Sequence, residues 1–179
     1  MVATALKLGR ELLSPQSIQA RVREMAKMIS ADYGSIERPL VLLSVLKGSV
    51  CFATDLSRNL TVPVNFDYVA VSSYGAGTES SGHVQLLKDL TMDVAGRDVL
   101  MIEDIIDTGL TTSFLFEHVQ RHRPASLKLC VLLNKRERRI TEVPIAYKGF
   151  DIPNHFVVGY GLDFEELYRN LAAVHVLEP

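Results

Sequence analysis

Val99-Leu100-Met101-Ile102-Glu103-Asp104-Ile105-Ile106-Asp107-Thr108-Gly109-Leu110-Thr111 is the stretch that decides the fold. Its apolar part, Asp98 to Ile102, reads as a strand buried on both faces. The strand runs out into two adjacent carboxylates and two branched aliphatics. Asp-Thr-Gly-Leu-Thr then opens a helix predicted to reach about His122, before Pro124. Gly109 permits tight backbone, the threonines offer hydroxyls, and a helix N-terminus presents free N–H groups, so 107–111 has the ingredients of a phosphate cradle. A helix dipole alone contributes only about 0.3–1 kcal/mol at an exposed site. Several directed bonds must therefore act together. Glu103 and Asp104 are costly at the edge of a sheet unless they meet hydroxyls or a metal. The Walker spacing G-x-x-x-x-G-K-[ST] and the dinucleotide fingerprint G-x-G-x-x-G are both absent.

Outward from this stretch the chain alternates strands with helices. Ser14 is a fitting N-cap and Pro15 a fitting first residue for a helix running to about Tyr33. Ile18, Val22, Met25 and Ile29 form its apolar stripe, and Gly34 ends it. Leu40 to Leu46 is a second doubly covered strand, ending in Lys47-Gly48. A helix follows from Ser49, with Phe52, Leu56 and Leu60 on one side. Val64 to Val71 reads as a strand, and Val84 to Leu87 as a short returning one. Between them, Ser72 to Gly82 is rich in glycine and serine, which predicts a mobile loop. Leu127 to Leu133 is a strand leading to Lys135, and His155 to Tyr160 is the last. Asp163 to Leu171 reads as irregular or briefly helical. The expectation is an α/β fold: a central, mainly parallel twisted sheet with helices on both faces, capped by a small hood of chain ends. In such a sheet ligands bind beyond the carboxyl ends of the strands.

Composition narrows the function classes. The chain has 179 residues, 47% hydrophobic and 22% charged, with formal net charge −2. Those values are globular, and at this length roughly 70% of the unfolded surface can be buried without metal or disulfide staples. A near-neutral, slightly acidic chain is a poor binder of nucleic acid, which rewards phosphate neutralisation. Cys51 and Cys130 lie apart in apolar runs and read as free thiols in a reducing compartment. No apolar stretch approaches the ~18 residues of a membrane span, and Met1 to Arg10 has no secretory pattern. A cytoplasmic protein is the expectation.

The run Val99 to Gly109 resembles the phosphoribosyl-pyrophosphate signature of the type I phosphoribosyltransferases. Ser44-Val45-Leu46-Lys47-Gly48, Ser72-Ser73-Tyr74-Gly75, Lys135, and Phe156 to Asp163 through Tyr168-Arg169-Asn170-Leu171 resemble, in order, the hypoxanthine-guanine branch of that family. The resemblance implies one domain over 1–179: a core about 36–150, a hood from about 1–13 and 151–179, and a mobile loop about 73–84. It implies transfer of phosphoribosyl from phosphoribosyl pyrophosphate to N9 of a 6-oxopurine, with Mg²⁺, in a homodimer or homotetramer. A xanthine-preferring enzyme and a non-catalytic sensor of phosphoribosyl pyrophosphate are the alternatives. A sensor would have no need of the base-reading residues.

The same resemblance implies the roles. Asp107 would move the purine N7 proton. Glu103, Asp104, Asp107, Thr108, Gly109, Leu110 and Thr111 would hold ribose and 5-phosphate. Leu46, Lys47, Gly48 and Arg169 would hold pyrophosphate, and in this family the Leu-Lys peptide can be cis. Lys135 would donate to purine O6, Phe156 stack on the base, Val157 read its edge, Ile105 pack on its other side, and Asp163 complete the purine set. Glu103, Asp104 and Asp163 would serve Mg²⁺, and Ser73-Tyr74 would sit on a lid. Two further signals stay outside these roles. His118 and His122 are four apart on a helix but lack the glutamate of H-E-x-x-H, and read as a solvated or partly packed face. Lys135 to Arg139 reads as a charged surface turn beyond Lys135.

Overall fold

The structure is a computed structural model describing residues 7–73 and 84–178. Its elements in chain order are β1 (Lys7–Leu13), α1 (Pro15–Asp32), β2 (Leu40–Leu46), α2 (Val50–Asn59), β3 (Val64–Ser73), β4 (Val84–Lys88), β5 (Asp98–Ile106), α3 (Leu110–Gln120), β6 (Ser126–Asn134), a 3₁₀ turn (Arg136–Arg138), β7 (Tyr147–Asp151), β8 (Val157–Val158) and β9 (Val174–Glu178). Six strands make one sheet in the order β4-β3-β2-β5-β6-β7. All neighbours are parallel except β4, which returns antiparallel to β3. A second sheet, β1-β9-β8, is antiparallel and draws its strands from the two chain ends.

The strand sequences explain the layers. Alternate residues of a strand face opposite sides. Leu40 and Leu42 of β2 pack with the α1 and α2 residues Ile18, Met25, Phe52 and Leu56. Val41, Leu43 and Val45 face the other way and pack with Leu115 and Val119 of α3. Both faces are thus covered, which is why these strands carry near-continuous aliphatic runs. Ser14 caps α1 as its sequence predicts, accepting a bond from the Ser17 N–H at 3.1 Å.

Several expected boundaries change. β5 continues to Ile106, so Glu103 and Asp104 lie inside the strand rather than after it. The ladder to β6 carries them, with Glu103 beside Val131 and Ile106 beside Asn134. α3 stops at Gln120, and the last predicted strand shrinks to Val157–Val158. β1, β7 and β9 had no strand prediction. β1 and β7 are edge strands with many exposed positions, which hides the apolar run that marks the central strands. β9, the middle strand of the second sheet, is only five residues long with a polar His175 inside it. Among the described residues, no helix is long and apolar enough to cross a membrane.

Leu42 is fully buried at the centre of the α1/α2 layer. Leu42→Ala is expected to lower the unfolding free energy by about 2–5 kcal/mol, because deleted methyl groups leave a cavity. Urea unfolding should show the midpoint falling at unchanged slope. A loss under about 0.5 kcal/mol, the scale of a surface change, would contradict the packing described.

Candidate functional site

Strand order places the site. The chain leaves β2 toward β3 on one side, and later resumes at β5 on the other. The crevice between the carboxyl ends of β2 and β5 is the topological switch point, where such sheets bind ligands. A cavity of about 370 Å³ opens there. Its floor is Val45 to Gly48 from the end of β2 and Glu103 to Ile105 from β5. Lys135 enters from the end of β6, and Phe156, Val157, Leu162, Asp163 and Arg169 form the hood side.

A smaller cavity of about 170 Å³ adjoins it, lined by Glu103, Ile105, Asp107, Thr108, Gly109, Thr111 and Thr112. Gly109 is the residue before α3 and has φ 85°, the left-handed region that favours glycine. A Cβ there would strike the Thr141 carbonyl. The first turn of a helix leaves N–H groups without intrahelical acceptors. Among the described residues, the Leu110 N–H donates to Thr108 Oγ1, a long bond of 3.4 Å. Asp107 and Thr111 line both cavities, while Leu110 lines neither.

The segment after β6 braces this loop. Lys135 N–H donates to the Ile106 carbonyl at 2.9 Å, and the Ile140 and Thr141 N–H groups both donate to Thr108 O. Arg139 Nε donates to the Asp107 carbonyl at 3.2 Å, and its Nη2 to Asn134 Oδ1 at 2.5 Å. Arg138 Nη1 lies 3.3 Å from Asp107 Oδ2. The expectation that 136–139 is only a surface turn is therefore corrected: two of its cations hold Asp107. The other carboxylate oxygen, Asp107 Oδ1, is buried with no hydrogen-bond partner among the described residues.

The acids are unevenly compensated. Glu103 is buried, and Thr112 Oγ1 donates to its Oε1 at 3.4 Å. Burial, and then the neighbouring Asp104 charge, push its carboxyl well above the ordinary value. Burial likewise pushes Asp104 up to about 6, against the opposing pull of the Asp104 and Ile105 N–H groups and of Arg169. Burial lowers the pKa of the Lys135 ammonium, with Asp107 opposing the shift. Two adjacent carboxylates short of positive charge fit a hard divalent cation that takes one or two carboxylates and keeps its waters.

On the hood side the cations are already paired. Arg169 Nη2 lies 2.8 Å from Asp163 and 3.4 Å from Glu166. Lys47 Nζ lies 3.0 Å from Glu166, and the Glu166 N–H donates to Asp163 at 2.9 Å. Glu166 carries no sequence expectation: it pairs locally with Arg169, but its shorter contact, to Lys47, comes from 119 residues away. The Leu46–Lys47 peptide is cis. Phe156 is 49% exposed and meets Phe164 edge-on at 5.8 Å between centroids. Ser73 ends β3, and Tyr74 lies outside the described residues.

Residues 10–165 match the family described as phosphoribosyl transferase domain. The chain belongs to that family. The hypoxanthine-guanine phosphoribosyltransferase of Mycobacterium tuberculosis is 49% identical over 172 residues, covering 94% of this chain and 85% of that one. That of Staphylococcus epidermidis is 46% identical over 171 residues, covering 96% and 94%. A solved hypoxanthine-guanine phosphoribosyltransferase from Bacillus anthracis superposes with TM-score 0.89 at 43% identity, covering 95% of this chain and 99% of that one. The fold is that of the type I phosphoribosyltransferases, and the chain is a transferase of that class.

The acid pair generates a pH prediction for the metal-free enzyme. A carboxyl with a folded pKa of about 6, against 3.8, binds protons more tightly folded than unfolded. Stability then falls as pH rises from about 4 to about 6, and the deficit persists above. Asp104→Asn removes it. With chelator present, the variant should exceed the parent chain by on the order of 1–3 kcal/mol at about pH 8 and lose that advantage near pH 3.5. Thermal or urea unfolding at the two pH values measures this. An advantage confined to the acid side would refute it.

Proposed function

We propose that the protein is a Mg²⁺-dependent hypoxanthine-guanine phosphoribosyltransferase of purine salvage. In this reading, purine N9 bonds to C1 of phosphoribosyl pyrophosphate as the bond from C1 to pyrophosphate breaks, giving IMP or GMP. The sugar carbon becomes oxocarbenium-like, as in glycoside cleavage. Such a reaction needs leaving-group stabilisation, a base for the purine and exclusion of water.

The observation that carries the reading is the state of Asp107. Asp107 lines both cavities, with Oδ2 3.3 Å from Arg138 and Oδ1 buried with no hydrogen-bond partner among the described residues. A carboxylate braced from behind and facing both cavities suits a group that takes a proton at purine N7. The adjoining cradle of Thr108, Gly109, Thr111 and the first turn of α3 would receive the 5-phosphate. Glu103 and Asp104 would meet the ribose hydroxyls. With Asp163 they would hold Mg²⁺, which when bound neutralises charge on pyrophosphate.

The larger cavity supplies the base site. Lys135, buried and cationic, would donate to a 6-oxo group, whereas the 6-amino group of adenine offers it no acceptor. Phe156 would stack on the ring opposite Ile105, with Val157 at the edge. Lys47, Gly48 and Arg169 would take pyrophosphate. In this assignment the oxygens of the leaving group replace Glu166 and Asp163 on Lys47 and Arg169. The exposed Lys47–Glu166 pair is worth only about 0–1 kcal/mol, so that exchange costs little; the half-buried Arg169–Asp163 pair must exchange one charged partner for another.

The direct test is a side-by-side assay of purified protein with Mg²⁺ and phosphoribosyl pyrophosphate. Hypoxanthine, guanine, xanthine and adenine are offered separately. Turnover with the first two is expected. Turnover confined to xanthine would assign the alternative specificity. Calorimetric binding of the ribose donor without turnover of any base would identify a sensor.

Asp107→Asn is expected to lower kcat by about 10²–10⁴, the usual worth of a positioned base. The Kd for phosphoribosyl pyrophosphate, read by calorimetry, should stay within about threefold of the parent value. Unchanged kcat would remove the proton role from Asp107.

A further inference from the structure

The clearest unassigned cluster lies on the far side of α3. His118 and His122 are one turn apart on that helix, with ring centroids 5.3 Å apart and an edge-on arrangement. Residues four apart on a helix share a face. The chain leaving β4 brings Asp89 to the same place, with its Oδ1 2.7 Å from His118 Nε2. One donor atom from each of Asp89, His118 and His122 lies within 4.8 Å of the other two. None of the three lines either cavity of the transferase site.

We propose that Asp89, His118 and His122 form a binding site for a zinc-type divalent transition-metal ion, with the fourth position left to water. The donor set separates this site from the oxygen-only cluster at Glu103 and Asp104. Imidazole nitrogen selects zinc, nickel, cobalt or copper over magnesium. Two histidines and one carboxylate are an established three-ligand set for zinc with an open position.

The geometry requires little rearrangement. Bonds of about 2.0–2.2 Å in a tetrahedron put donor atoms about 3.3–3.5 Å apart. The Asp89–His118 separation must open slightly and the widest one must close. Asp89 and His122 are exposed, so side-chain rotation suffices and the backbone can stay in place. A bound ion would clip the exit of β4 to the C-terminal half of α3. His118 now stacks against Phe114 at 6.4 Å, which limits the ring's freedom before metal arrives.

The test uses full-length, tag-free protein stripped with chelator and then saturated with Mg²⁺, so that oxygen sites are occupied. Co²⁺ is titrated in and its visible d–d bands are followed; Zn²⁺ is titrated by calorimetry. One equivalent per chain is expected, with bands of tetrahedral intensity and Zn²⁺ displacing Co²⁺. Loss of an outer partner of a metal site already costs 10–100-fold, so loss of a ligand should cost at least about tenfold. His122→Ala and Asp89→Asn should each weaken binding that much. His122→Ala leaves the Asp89–His118 contact intact, so its fold, checked by circular dichroism, serves as the control. Absence of stoichiometric binding to the parent chain overturns the site. So does binding that both variants retain in full. Neither result bears on the transferase reading, which rests on other residues.

Discussion

Two carboxylates on consecutive residues of one buried strand are the constraint around which this site is arranged. Neighbours in a strand point to opposite faces. Glu103 follows Met101 toward the α3 layer and reaches Thr112. Asp104 follows Ile102 toward the other layer and meets the backbone at Gly48. Both carboxylates nonetheless reach the crevice beneath the hood at the end of the strand, and Glu103 also lines the cradle at the start of α3. Burial makes both acids expensive to ionise in the metal-free protein. An arrangement that costs stability in isolation is the usual mark of a site that expects compensating charge.

Close backbone contact brings the parts of the crevice together. A Cβ on Gly48 would fall on the Asp104 carboxylate. Gly161, at φ 100°, stands so close to the Gly48 carbonyl that a side chain there would strike it. The turn after β2, the end of β5 and the hood thus converge at two glycines. Arg169 Nη1 donates to the Gly161 carbonyl at 2.8 Å, and the Gly161 N–H donates back to Arg169 O at 3.0 Å. This exchange aims the arginine into the crevice. The positions of Lys47 and Arg169 follow from glycine packing as much as from their own charge.

What the sequence disclosed follows from range of interaction. The stripe of α1, the aliphatic runs of β2 and β6 and the Asp-Thr-Gly helix start are local patterns, and each became the element it suggested. β5 outran its apolar run because Glu103 and Asp104 interrupt the hydrophobic signal without interrupting the ladder to β6. β1 and β9 pair with each other across the whole chain length, so neither carries a local mark of its partner. The same holds for side chains. Arg138 and Arg139 look like a solvated charge run until the turn after β6 folds back on the 107–109 loop. Asp89 joins His118 only because β4 returns beside α3.

Charge in the crevice is balanced internally and loosely. Lys47 and Glu166 are each largely exposed, and Arg169 divides its guanidinium between Asp163 and Glu166. Water competes for such pairs, so they position side chains more than they bind them. Asp107 contrasts with them. Its carbonyl is held by Arg139, one carboxylate oxygen by Arg138, and the other is buried with no partner among the described residues. A buried acceptor left empty costs on the order of 1–3 kcal/mol, which is recovered when a donor arrives. The proposed division of labour follows from this difference. Exchangeable pairs suit the groups that must take up and release a polyanion, and a fixed acceptor with one unmet bond suits the group that must accept a single proton.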